Sequence, residues 1–220
     1  MNAVVPPRFL FRWSFPVRPW EGQPAARGRL LSLGDDYRLA WPTEFDNEPN
    51  FAEVRLGWNP EGLALSVHVQ GKQLGLRNMA NAPAESDGVQ IWIDTRATQT
   101  VHRATRFCHY FCLLPAVGKT AKSAGKPQAI GLPIARARED AVAADATDVK
   151  VWSEVRSDGY DLEAWIPASA LTGFDPRSNP RVGGYLLIRD QELGDQSLTV
   201  DRAFPFDADP SLWQTFELVS

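Results

Sequence analysis

Cysteine is scarce in these 220 residues, and the two present, Cys108 and Cys112, are too few for a disulfide framework. On one strand their side chains would share a face but stand ~13 Å apart at roughly 3.3 Å per residue, beyond disulfide reach. Both are expected as free thiols, as suits a reducing compartment. Neither sign of charge is in excess: 23 Lys and Arg are interspersed with 27 Asp and Glu, a formal net charge of -4. That gives no electrostatic basis for binding nucleic acid or an anionic membrane. No apolar run approaches the ~20 residues that span a bilayer. The start, MNAVVPPRFLFRWSF, lacks a basic n-region and an unbroken apolar h-region, so a cytoplasmic location is expected. Also missing are GxSxG, GxxxxGK[ST] and a GxGxxG opening a helix. Nucleophilic and phosphate chemistry therefore have no support, and there is no internal repeat.

What is present is alternation. In ESDGVQIWIDTR, residues 85–96, Val89, Ile91 and Ile93 alternate with Gln90, Trp92 and Asp94, the period of a strand with one buried and one polar face. Strand patterns recur at 8–14, 52–59, 63–70, 89–95, 105–114, 149–156, 160–166, 182–190, 197–206 and 215–219. Turn signals punctuate them at NPEG (59–62), SDG (157–159), VGG (182–184) and DADP (207–210). The expected fold is all-β: an antiparallel, jelly-roll-like β-sandwich of two packed sheets with one short helical turn at 167–171. With 44% hydrophobic residues, the chain reads as one domain over 1–220, its core at about 51–219 and an N-terminal strand and extended segment over 1–50. Residues 116–131 read as a loop, and 136–146 as an alternative weak helix.

A register can be proposed for the hairpin at 151–166. With Asp158-Gly159 at its tip, Val155 pairs with Leu162 and Val151 with Ile166 on the core face. The other face then sets Arg156 opposite Asp161, Glu154 opposite Glu163 and Trp152 opposite Trp165. Facing carboxylates cost up to roughly 1 kcal/mol unless a cation relieves them, so an Arg, a metal or a ligand is expected there, with Arg103, Arg106 and Arg189 as candidate arginines. Trp152 and Trp165 with Glu154 and Glu163, joined by Trp92 and Gln90, supply the flat apolar surfaces and bidentate hydrogen-bonding groups that a pyranose site needs. Packing of the same Trp side chains beneath loops is the competing reading. Glu154 and Glu163 do not make a glycosidase pair, because cross-strand neighbours do not flank a cleft.

Residues 101–114, VHRATRFCHYFCLL, hold two of the three His and both Cys. On a strand His102 and Cys108 stand ~20 Å apart, too far for one zinc ion. Packing is expected instead, with Phe107, His109 and Phe111 on one face and the thiols on the other. Asp87 and Asp94 are the candidates for a structural calcium, with Asp190, Glu192, Asp195, Asp207 and Asp209 as further loop acids.

The succession WNPEGLALSVHV, ESDGVQIWIDTR, DGYDLEAWIPASALTGFDP, VGGYLLIRD and DPSLWQTFELV, covering most of 51–219, resembles the family 9 carbohydrate-binding modules and the wider DOMON-like sandwiches. The family's SDxVEIxID-type strand corresponds to 86–94 here, and its E-x-x-IP hairpin signature to 163–167. The resemblance implies a non-catalytic module that clamps a sugar between aromatic rings, often with structural calcium. Two departures stand out. Residues 77–85 carry no aromatic where one ring commonly lies, and Gln90 stands where the family usually has Glu. The expected ligand is a carbohydrate or polyol, held by Trp92, Trp152, Trp165, Trp213, Glu154, Glu163, Gln90 and Arg106. The alternative is a structural or protein-interaction sandwich with no small-molecule ligand, its oligomeric state open. DOMON-like relatives that hold haem through Met and Lys point to Met79 and Lys72.

Overall fold

The computed structural model describes residues 6–42, 49–79, 81–115, 126–141 and 148–220. Its strands are β1 (Ser14–Pro19), β2 (Ala52–Asn59), β3 (Gly62–Gln70), β4 (Gly88–Asp94), β5 (Cys108–Leu114), β6 (Gln128–Gly131), β7 (Lys150–Arg156), β8 (Gly159–Pro167), β9 (Arg181–Asp190), β10 (Gly194–Ser197) and β11 (Gln214–Leu218). Hydrogen bonding links them in the order β6-β5-β4-β9-β11-β1-β2-β3-β8-β7, with β10 beside β9. The two ends of this path, β6 and β7, approach each other, so the sheet nearly closes.

Not every ladder is antiparallel as expected. β1 pairs parallel to β11 through Ser14–Val17 and parallel to β2 through Arg18 and Pro19. Its prolines at 16 and 19 each remove a ladder donor, consistent with a strand that changes partner along its length. Val89, Ile91 and Ile93 of β4 are fully buried in one cluster with Leu162, Ala164 and Ile166 of β8. Fully burying each such side chain contributes roughly 1.5–3 kcal/mol. The core also reaches back beyond the expected start at residue 51, because Phe15, Val17, Leu39 and Trp41 belong to the same cluster. A separate cluster of Trp20, Leu30, Leu31 and Leu33 covers Ala64 and Trp165 on the opposite face of β3 and β8.

Several sequence expectations change. Within 8–14 the chain forms a 3-10 turn at Pro7–Leu10, and the strand begins only at Ser14. Strand pairing in 197–206 ends at Ser197, and the chain then leaves the sheet to bury Phe206 against Trp92 and Tyr185. Residues 128–131 form β6 on the edge of β5, while 116–125 and 142–147 lie outside the described residues. Residues 136–141 are not helical: Arg136 has φ +58, and its carbonyl and that of Ala137 accept from the Arg103 guanidinium.

The β7–β8 hairpin keeps the expected division of side chains between its two faces but shifts its register by two, and Val155, expected in the core, is 51% exposed. Arg156 pairs with Gly159, Glu154 with Asp161, Trp152 with Glu163 and Lys150 with Trp165. Ser157 and Asp158 make the turn, and Gly159 opens β8. A Cβ on Gly159 would collide with the Val69 carbonyl of β3, so this glycine serves close strand approach rather than the hairpin tip. The facing carboxylates are Glu154 and Asp161 rather than Glu154 and Glu163, and the cation that relieves them is Arg156 of the same hairpin, 2.6 Å from Asp161, which also shares a 2.6 Å hydrogen bond with the His68 ring. Burial alone would raise the Asp161 pKa, but these hydrogen bonds reverse the effect and hold it below the usual carboxylate range.

One buried ion cluster ties the loop after β3 to β4 and β9. Lys72, 5% exposed, places its ammonium 2.6 Å from Asp190 and 3.2 Å from Asp87. Burial opposes that charge, yet the hydrogen bond and attraction of Asp190 and the charge of Asp87 prevail, so the Lys72 pKa is raised. Asp87 also accepts from the Arg77 and Gln191 amides, and Glu192 from those of Gln73 and Leu74. Lys72→Met leaves two buried carboxylates without their cation and is expected to cost about 3–5 kcal/mol, read as a lower urea midpoint at pH 7.

His109 lies in the core opposite Ile93 and stacked 6.3 Å from Phe111. Burial pushes its pKa down to about 4. Between about pH 6.5 and 4 the unfolded chain therefore takes up a proton that the folded chain refuses, and stability falls across that window by up to ~3 kcal/mol. His109→Phe should remove this contribution. Urea titrations of both proteins between pH 7 and 4 check it, and parallel stability curves would refute it.

Candidate functional site

The structure separates the expected aromatic residues. Trp92, on the outer face of β4, is 1% exposed: Tyr110, its cross-strand partner on β5, stacks on it at 4.3 Å, and Tyr185 and Phe206 meet it edge-on. Trp165 is 5% exposed, packed against Trp20 at 5.6 Å. Trp213 is 1% exposed and donates its indole N–H to the Phe206 carbonyl. Of the four, only Trp152 is half exposed, with the Arg29 guanidinium 5.6 Å from its ring centre. No pair of these Trp rings faces across a groove, because the loop at 198–206 and the segment at 20–33 occupy the faces that a sugar would need.

The polar candidates disperse too. Glu163 is buried and accepts from Arg29 at 2.6 Å and the Leu31 amide at 2.7 Å, so the expected arginine comes from the N-terminal segment. Glu154 is exposed beside Asp161. Arg106 lies over the Phe107 ring, 5.1 Å from its centre. Gln90 is buried and fully engaged, accepting from the Tyr110 hydroxyl at 2.6 Å and donating to the Ala84 carbonyl at 2.9 Å. A carboxylate could not make the second bond, which accounts for Gln at this position.

Gln90, Trp92 and Tyr110 form part of the floor of a groove of about 590 Å³. Its walls are the stretch around Pro133 and Ala135 and the loop at 202–207, and Ala84 and Glu85 form a lip. The ring of Tyr110 is half exposed, and burial raises its phenol pKa. Arg189 makes a two-point ion pair with Asp195, at 2.9 and 3.1 Å, and reaches Glu85 at 2.9 Å. Arg202, half exposed, bonds Asp195 at 2.8 Å. The groove thus joins an aromatic face to fixed, charge-balanced arginines and carboxylates. Two other hollows are less suited to a polyol. One beneath 131–141, about 320 Å³, is mainly apolar, and one on the outer face of β2, β3 and β8, about 510 Å³, is mainly polar, with Phe51 and the His68 ring at its walls.

Metal and nucleophilic chemistry find little to work with. Asp87 is committed to Lys72, and Asp94 to the Arg96 and Thr98 amides and the Thr98 hydroxyl. At opposite ends of β4 these two acids cannot share an ion, and Asp87, Asp190 and Glu192 already surround an ammonium. The Lys72 ammonium occupies the place that an ion shared by Asp87 and Asp190 would need. Lys72 is equally unavailable to haem, and Met79 is half exposed. Cys108 and Cys112 are free and buried, their thiols pushed up to about 11. Ser211, His102 and Asp209 do meet, but Ser211 and Asp209 both contact Nδ1 of His102 at 3.1 Å. A catalytic relay needs the two ring nitrogens to serve different partners.

No family model and no curated protein matches the chain. Solved structures do, among them two of a family 9 carbohydrate-binding module (CBM9) from Caldicellulosiruptor kristjanssonii. The complex with cellotriose aligns with a TM-score of 0.62 at 16% identity over 94% of this chain and 93% of that one. The glucose complex gives 0.62 and 16% over 93% and 96%. The chain has the CBM9 fold. Within that fold, Glu85, Tyr110, Phe204 and Arg202 are groove residues that sequence reasoning missed. Tyr110 was accessible in principle, since pairing β5 against β4 puts it opposite Trp92. The loop residues were hidden by reading 197–206 as a strand. No helix among the described residues is long and apolar enough to cross a membrane.

These placements are checked by acrylamide quenching. Trp152→Phe should lower the quencher-accessible fraction of tryptophan fluorescence, whereas Trp92→Phe, Trp165→Phe or Trp213→Phe, each removing an inaccessible ring, should raise it.

Proposed function

We propose that the protein is a non-catalytic carbohydrate-binding module whose ligand lies in the groove over Tyr110, on a two-layered, jelly-roll-like sandwich. The observation that carries this reading is one half-exposed aromatic ring, backed by Trp92, beside arginines and carboxylates fixed by ion pairs. A pyranose presents a flat C–H face to such a ring and hydroxyls to the charged groups. Arg202, Glu85 and Asp207 bear the polar contacts, and Tyr110 takes the stacking role first assigned to Trp92. The likeness to modules solved with glucose and cellotriose supports the same ligand class.

A second reading, a structural or protein-interaction domain, is favoured by the burial of Trp92, Trp165 and Trp213 and by adjacent exposed Leu10 and Phe11. Calorimetric titration with neutral mono- and oligosaccharides separates the two. Binding is expected, with Arg202→Ala and Tyr110→Ala each weakening it roughly tenfold, equivalent to about 1.4 kcal/mol. Tyr110→Phe, which keeps the ring, should bind nearly as wild type. Silence across the panel overturns the carbohydrate reading.

A further inference from the structure

A second hollow of about 430 Å³ lies next to the groove, with His102, Arg103 and Asp209 among its lining residues. The two share Pro205 and are bounded by successive residues of the same walls: Ala135 and then Arg136 on one side, 202–207 and then Ala208 and Asp209 on the other. Each volume falls in the ~300–1,000 Å³ range of ligand sites. The second hollow has its own polar groups. Asp209 and the Ser211 hydroxyl fix the imidazole of His102, which is 77% exposed. Arg136 is exposed in a left-handed backbone conformation, φ +58, that a non-glycine residue seldom adopts. Two hydrogen bonds from Arg103 hold that stretch in place, so a strained arginine is kept at the wall rather than relaxed.

We propose that this hollow is a second sugar subsite, and that the ligand is a linear oligosaccharide of two or more pyranose units running from Arg202 past Pro205 to His102 and Arg136. The proposal rests on the carbohydrate reading of the Tyr110 groove. The first unit stacks on Tyr110, and the next gives its hydroxyls to the His102 imidazole and the Arg136 guanidinium.

The test compares glucose with cellotriose by calorimetry, on the wild-type chain and on the double variant His102→Ala, Arg136→Gly. Both replaced side chains are exposed, and glycine relieves the backbone at 136, so the variant should fold. An unchanged melting temperature checks this. Wild type is expected to bind cellotriose at least roughly tenfold more tightly than glucose, and the variant to lose that advantage while its glucose affinity stays within about twofold. Equal wild-type affinities, or a variant that keeps the preference for cellotriose, overturn the second subsite and leave the Tyr110 site standing. Failure of both sugars to bind wild type overturns the carbohydrate reading and the subsite with it.

Discussion

The ammonium of Lys72 is the contact on which the candidate site depends. Two fully buried carboxylates at one end of neighbouring strands would repel each other, and Lys72 lies between them at hydrogen-bonding distance. Asp87 and Glu192 then use their remaining oxygens to fix the amides of Arg77, Gln73, Leu74 and Gln191. From there the order reaches the groove: Gln191 bonds the Glu85 carbonyl, and Arg189 bonds the Ala84 carbonyl and the Glu85 side chain. A loop with no secondary structure over most of its length thus becomes a defined lip. Buried ion pairs are weak evidence of net stability, because desolvation offsets much of the attraction. Their value here is geometric, since few other arrangements satisfy all these oxygens together.

Aromatic stacking sets the second constraint. Trp92 and Tyr110 are cross-strand partners with their planes 9° apart, and Tyr185 stacks with Phe206 at 4.4 Å to close the layer. Only the outermost ring of this stack remains available to solvent. The inner rings give the site rigidity, so an exposed aromatic is held without the entropy cost of ordering it at binding.

Much of the architecture was legible in the sequence because alternation reports which residues share a face. The faces of β4, β5, β7 and β8 follow from it directly. Register was less legible: Asp158-Gly159 is a strong turn signal, but Gly159 answers to the Val69 carbonyl, a neighbour no local pattern reveals. A shift of two leaves every side chain on its own face, which is why the polar clustering around Glu154, Asp161 and Glu163 survived the error. Burial of Trp92 was hidden for a similar reason. The residues that cover it come from 185 and 206, far along the chain, and the second of these lies in a segment whose apolar spacing imitates a strand. Lys72 left no pattern at all, since its partners Asp87 and Asp190 are brought together only by the β4–β9 ladder.

The parallel pairing of β1 with β11 bears on how the chain reaches this structure. The amide of Trp13 bonds the side chain of Gln214, 201 residues further on, and β1 is also the link from β11 to β2. During synthesis neither half of the path can be joined to the other until that last strand has left the ribosome. Loop-closure entropy rises only slowly with length, but contacts this distant in sequence are associated with slow folding. Until β11 arrives, the edges of β1 and β9 that it joins are open to pairing with other chains, so the join between β1 and β11 is where chaperone protection during synthesis would matter most.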